Sequence, residues 1–177
     1  RQMNVLLTGA SGFLGRNIAK ALTDTGNTVI YALRKQGVDF QKMLKPSDWL
    51  PHLHGVDAVV NCVGIIDERC GQTFDALHRA APIALFRACV DVDVRRVIQV
   101  SALGADDTAF SAFHQSKLAA DDVLRQSELD WFVLRPTLVY GSTAGTSSAL
   151  FMRMAALPVI PLIGDGQQIV QPVHVSD

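Results

Sequence analysis

Cysteine is scarce in this chain: 177 residues hold three, Cys62, Cys70 and Cys89. They form no CxxC pair and no His/Cys spacing of the kind that holds zinc. A disulfide scaffold and a metal site are therefore set aside, and reduced thiols that simply pack, in a cytoplasmic setting, are expected. An excess of either charge is also lacking. The formal net charge is -1, with 16 Lys and Arg against 17 Asp and Glu, so no global field draws the protein to nucleic acid or to an anionic membrane. Long apolar runs are missing too. The opening RQMNVLL has no basic region leading into an apolar stretch, and so reads as no export signal. The most apolar late segment, Met154 to Gly164, is too short to span a bilayer and is broken by Pro158 and Pro161, as expected of a buried or lid-like loop. No internal repeat or low-complexity tract appears.

What is present is alternation. Chains of about 150 residues bury roughly two thirds of their unfolded surface, so one domain with a real core is expected. NVLL (Asn4 to Leu7) reads as a strand. Phe13, Leu14, Ile18 and Leu22 then recur at helical spacing until Gly26. TVIYAL (Thr28 to Leu33), DAVVNCVG (Asp57 to Gly64) and RVIQVSA (Arg96 to Ala102) are β-branched, and the last two are continuously apolar, as strands covered on both faces are. Helices are predicted over ALHRAAPIALFRACV, where Pro82 starts or kinks the helix, and from Ser111 to Gln126. WFVLRPTLVYG adds a strand ending near Pro136. The pattern predicts an α/β fold, a doubly wound parallel sheet with helices on both faces, over residues 1–140. From Gly141 to residue 177 an irregular Gly/Ser/Pro-rich region is expected to begin a substrate side. QPVHVSD reads as a strand running into a helix start, so the sequence is expected to stop short of the natural end.

TGASGFLG lies between the first strand and the first helix, with glycines at 9, 12 and 15. In that context Gly9 lets the chain turn off the strand, Gly12 lets backbone approach a pyrophosphate, and Gly15 allows close helix packing. Ser11, Phe13 and Leu14 complete a helix start whose free N–H groups and positive dipole end face an anion. The motif therefore predicts a dinucleotide site. The second strand ends in YALRK, placing Arg34 and Lys35 where many dinucleotide folds carry an acidic residue for the adenosine ribose. A guanidinium grips a 2'-phosphate where a carboxylate would repel it, so NADP is expected over NAD. Asp39 is a candidate adenine contact.

TGASGFLG, DAVVNCVG, RVIQVSALGAD, the helix carrying Lys117, and LRPTLVYG occur in the order of the short-chain dehydrogenase/reductase superfamily. The match resembles its extended or atypical members, the NAD(P)-dependent epimerase/dehydratase type. VVNCVG, SALGAD and LPVIPLIGDG resemble the branch that includes the Rossmann-type accessory subunit of respiratory complex I. The resemblance implies an NAD(P)-binding Rossmann fold in which Gly9, Gly12 and Gly15 hold the pyrophosphate and Val63 and Gly64 line the adenosine or ribose side. It implies Ser101 as the substrate-orienting serine, Lys117 as the ribose-binding lysine, and Pro136 to Val139 as the loop beside the nicotinamide.

One position departs from that pattern. SAFHQSK puts Phe113 where the family's catalytic tyrosine stands, four residues before Lys117. The tyrosine hydroxyl carries a proton to or from the reacting oxygen, commonly contributing about 10²–10⁴-fold, and a phenyl ring has no such proton. The resemblance implies that Lys117 keeps its other role, a hydrogen bond to the nicotinamide ribose, so cofactor binding can survive. His114, with an unperturbed pKa of about 6.5, is a substitute donor only if the helix is distorted, since adjacent helical residues point about 100° apart. His78, Arg79 and His174 are expected on the surface or in packing. Three readings follow: an NADP(H)-binding protein with weak or no redox activity; an oxidoreductase or epimerase using His114, a water held by Ser101 or a residue after Asp177 as donor; and a scaffold that keeps only the fold. The partners expected are a dinucleotide cofactor and a small-molecule substrate.

Overall fold

The computed structural model describes residues 2–141, 153, 167 and 171–177. The expected loop at Met154 to Gly164 lies outside the described residues. Five parallel strands form the main sheet: β1 (Asn4–Thr8), β2 (Thr28–Ala32), β3 (Ala58–Asn61), β4 (Arg96–Val100) and β5 (Asp130–Leu134), in the order β2-β1-β3-β4-β5. The reversal of direction between β1 and β3 is the switch point at which open α/β sheets bind ligands, beyond the carboxyl ends of the strands.

Period-two side chains divide the core between the two faces of the sheet. Val5, Leu7, Ala58 and Val60 meet Ala19 of α1 (Phe13–Asp24) on one face. Leu6, Val59 and Val97 meet Leu85 and Ala88 of α3 (Ala81–Asp91) and Ala120 and Leu124 of α4 (Ala112–Arg125) on the other. A short helix α2 (Pro46–Trp49), with no apolar periodicity to announce it, seats the fully buried Trp49, whose Nε1–H donates to the Met43 carbonyl at 3.1 Å.

The helix expected over Ala76 to Val90 is not uniform. Residues Asp75–Ala80 form a π-helical turn that runs into α3. Pro82 accounts for it, because proline has no N–H to give to the carbonyl four residues back, at His78. The last described residues form a two-stranded parallel ribbon, β6 (Val139–Tyr140) with β7 (Val173–His174). β7 is the strand expected in QPVHVSD, and it ends in a turn in which His174 Nδ1 meets Ser176 Oγ at 2.7 Å.

Candidate dinucleotide cleft and its floor

The turn leaving β1 is built from the glycines, each for a different reason. Gly9 has φ +69°, and a Cβ there would press on the backbone of Cys62 at 2.7 Å. At Gly15 a Cβ would overlap the Gly9 carbonyl and Ala10 Cα, so this glycine brings α1 onto its own leading turn rather than onto the sheet. Gly12 is different: its φ is −77°, and an added Cβ would meet only the Gly9 carbonyl, at 3.2 Å. It caps α1 without a side-chain hydrogen bond, and the first turn holds no acidic residue. The positive end of α1 thus faces outward uncompensated.

A cleft of about 600 Å³ opens there. It brings together Gly9, Ser11, Gly12, Arg34, Lys35, Val63 and Gly64, seven of the residues singled out from the sequence. No Asp or Glu is among its described lining residues. Arg34 and Lys35 lie in a single 3₁₀ turn (Arg34–Gln36) directly after β2. Asp39 does not line the cleft; its carboxylate accepts from the Gln41 N–H at 3.2 Å, closing a local turn. Phe13 leans toward the ribbon: a Cβ on Gly141 would lie 3.3 Å from its ring and also against Val175. The start of α1 therefore adjoins the stretch that follows Val139. Pro136 accepts from the Leu103 N–H at 3.0 Å, which ties the loop after β5 to the loop after β4.

Below the cleft wall is a buried polar floor. A rung of side chains crosses three strand ends: Thr8 Oγ1–H donates to Asn61 Oδ1 at 2.5 Å, and Asn61 Nδ2–H donates to Gln99 Oε1 at 2.7 Å. Lys117 is 4% exposed and its ammonium donates to the carbonyls of Val63 (3.2 Å) and Val100 (3.1 Å). It lies against Gly64, whose hypothetical Cβ would be 3.2 Å from Nζ. Burial pulls its pKa down to about 8, opposed by the nearby Asp121 and Cys62. The Cys62 thiol is itself pushed up to about 12 by burial, so it stays protonated.

Ser101 is also buried, and its hydroxyl donates to Asp121 Oδ2 at 2.6 Å. With that proton engaged, the oxygen is left to accept from a ligand rather than to donate. Asp121 is fully buried and also meets Arg135 at 3.4 Å; burial raises its pKa, while Ser101 and Arg135 hold it back.

His78, expected on the surface or in packing, is a packed residue with both ring nitrogens engaged. It is completely buried, at the centre of the π-helical turn. Nε2 accepts from the Ile65 N–H at 3.0 Å, and Nδ1 meets Ser116 Oγ at 3.1 Å. Ser116 already donates to the Phe113 carbonyl at 2.8 Å, which leaves His78 Nδ1 as the protonated nitrogen. Burial, with Lys117 adding repulsion, lowers the His78 pKa to about 3. No spacing in the sequence announces this residue; only the proline that distorts its helix does. Arg79 is on the surface, paired with Asp75.

Phe113 and Lys117 share a face of α4, as their spacing requires. The Phe113 ring stands edge-on to His78, with centroids 5.3 Å apart, and edge-on to Phe74 at 5.9 Å. His114 turns to the helix start: Nδ1 meets Ser111 Oγ at 2.6 Å, and a Cβ on Gly104 would lie 3.4 Å from its ring. Ser111 also caps α4, accepting from the His114 N–H at 3.2 Å. The three cysteines are free thiols; Cys89 is buried and packs as expected, whereas Cys70 is exposed.

Comparison with known proteins agrees with this geometry. A family model described as NAD(P)H-binding matches residues 9–151. A ceramide reductase of Caulobacter vibrioides is 27% identical over 184 residues, covering 98% of this chain and 57% of that protein. The mitochondrial NADH dehydrogenase [ubiquinone] 1 alpha subcomplex subunit 9 of Arabidopsis thaliana is 28% identical over 187 residues, covering 96% of this chain and 46% of that protein. The chain thus spans about half the length of the curated relatives it matches. Among solved structures, MoeE5 in complex with UDP-glucose and NAD has the same fold, with a TM-score of 0.79 and 24% identity over 98% of this chain and 68% of that one. Among the described residues no helix is long and apolar enough to cross a membrane.

Proposed function

The chain belongs to the NAD(P)H-binding family, and on that premise we propose that it binds NADP(H) in the cleft after β1 and β2, with weak or absent redox turnover. The observation that carries the reading is the composition of the cleft: a glycine turn at its centre, Arg34 and Lys35 at the end of β2, and no carboxylate among its described lining residues. The residues fit the cofactor. Gly12 leaves the backbone open to a pyrophosphate beside an uncapped helix end, and Arg34 and Lys35 suit a 2'-phosphate. Val63 and Gly64 form the ribose wall. Lys117, two of whose three N–H bonds hold strand-end carbonyls, has a third for a ribose hydroxyl.

When bound, a nicotinamide dinucleotide supplies hydride donation or acceptance. Carbonyl reduction also needs a proton at the oxygen, and Phe113 has none to give. The Ser101 hydroxyl proton is engaged by Asp121, and His78 is held neutral with its proton toward Ser116. Residues 1–140 form the dinucleotide-binding unit in this reading, and 141–177 begin the substrate side. Titration of the protein with NADPH and NADH tests it.

A second reading is favoured by one observation, that a relative covering nearly this whole chain is a reductase. In it the protein turns over a small-molecule substrate with His114, a water on Ser101 or a later residue as donor. A carbonyl-substrate screen with NADPH separates the two.

A further inference from the structure

Lys117 and Asp121 stand four residues apart on the face of α4 that meets the sheet, and both are almost wholly buried. Between them they fasten three consecutive strand ends. Lys117 donates to Val63 after β3 and to Val100 at the end of β4. Asp121 accepts from Ser101, the next residue of that same chain end, and meets Arg135 just after β5. Ser101 N–H in turn donates to the Leu134 carbonyl at 2.8 Å. A buried ammonium and a buried carboxylate thus share one scaffold under the cleft wall.

We propose that Asp121 is a positioning residue: it keeps the Lys117 ammonium charged under the cleft wall, and so keeps it able to donate to a ligand there. Burying an ammonium drives it to shed its proton; acceptors such as the Val63 and Val100 carbonyls oppose that, and a nearby anion opposes it further. The other titratable group facing Lys117 from β3, Cys62, is a protonated thiol, and His78 from the π-helical turn is neutral. Arg135 and Arg125 act on Asp121, stabilising its ionised form. Asp121 is therefore the anion left to hold the charge, among the described residues. Burial raises the pKa of its own carboxylate, and the Ser101 hydroxyl and Arg135, both on that carboxylate, oppose the rise.

The consequence for the cofactor rests on the reading of the cleft given above, but the charge itself is testable without ligand. The Lys117 Cε and Nζ resonances of the free protein, assigned with Lys117→Arg, are followed by NMR from pH 6 to 10. The wild-type midpoint is expected near 8. In Asp121→Asn it is expected to fall by at least about one unit, a tenfold loss of proton affinity, whereas Asp121→Glu keeps it. NADPH affinity of Asp121→Asn then weakens between pH 6.5 and 7.5 while that of the wild type holds. A folded Asp121→Asn with an unmoved Lys117 midpoint overturns the proposal. Should that variant not fold, a wild-type Lys117 already neutral at pH 7 overturns it equally, and a charged one supports it. Failure of the wild type to bind NADPH would defeat the cofactor reading alone, since the Lys117 titration still decides the role of Asp121.

Discussion

The Ile65 N–H donates to Nε2 of His78 at 3.0 Å, so a residue lining the cleft is fastened to the interior through one imidazole lone pair. Protonating that nitrogen replaces an acceptor with a donor facing a donor. With a folded pKa near 3 against 6.5 unfolded, the unfolded chain binds the proton that the folded chain refuses. Stability is therefore fully present above pH 6.5 and falls as the pH drops toward 3, by up to about 1.4 kcal/mol per unit from this group. His78→Gln keeps an acceptor for Ile65 and a donor for Ser116 but cannot titrate. Denaturant melts of both proteins between pH 4 and 7 should show a shallower acid loss for the variant; parallel curves would remove His78 as the cause.

The glycine turn separates binding from folding. At Gly12 an added Cβ meets only the Gly9 carbonyl, at a close 3.2 Å that a shift of a few tenths of an ångström relieves, so Gly12→Val is expected to fold with a modest loss of Tm and to lose cofactor binding. At Gly15 even a methyl group overlaps the preceding turn, and Gly15→Ala should cost about 1–3 kcal/mol, as overpacking does. Thermal melts beside calorimetric titrations check the pair. Equal destabilisation by both changes would count against the roles given to these glycines.

Arg34 is exposed at the cleft end, so its contact with a 2'-phosphate is expected at the low end for charged hydrogen bonds, about 1.5 kcal/mol. Arg34→Ala should weaken NADPH by about tenfold and leave NADH unchanged. Equal losses for both would reduce Arg34 to surface charge.

Restoring the absent hydroxyl is the chemical test. Phe113→Tyr places a phenol on the helix face it shares with Lys117, whose ammonium favours the phenolate. NADPH-dependent reduction of at least one carbonyl substrate is expected to rise by about tenfold or more, within the range acid–base assistance commonly supplies. A strong wild-type rate that ignores this change but collapses in His114→Ala would make the histidine the donor.

The strands, their parallel alternation and the glycine turn were legible because each is a local pattern: β-branched runs, a glycine triplet at a strand end, apolar residues at helical spacing. The floor of the site was not. Ser101 and Asp121 are 20 residues apart and His78 and Ser116 are 38, and such pairs exist only after the end of β4 and the π-helical turn have packed against α4. Asp121 on a helix reads as an ordinary solvated carboxylate until the sheet covers it. Trp49 was unreadable for a related reason, since a four-residue helix has no period to detect.

The most direct measurement is a calorimetric titration of the wild-type protein with NADPH and NADH under one set of conditions. The account predicts a single site for NADPH, with affinity about tenfold or more above that for NADH. No saturable binding of either nucleotide, or tighter binding of NADH, would contradict it.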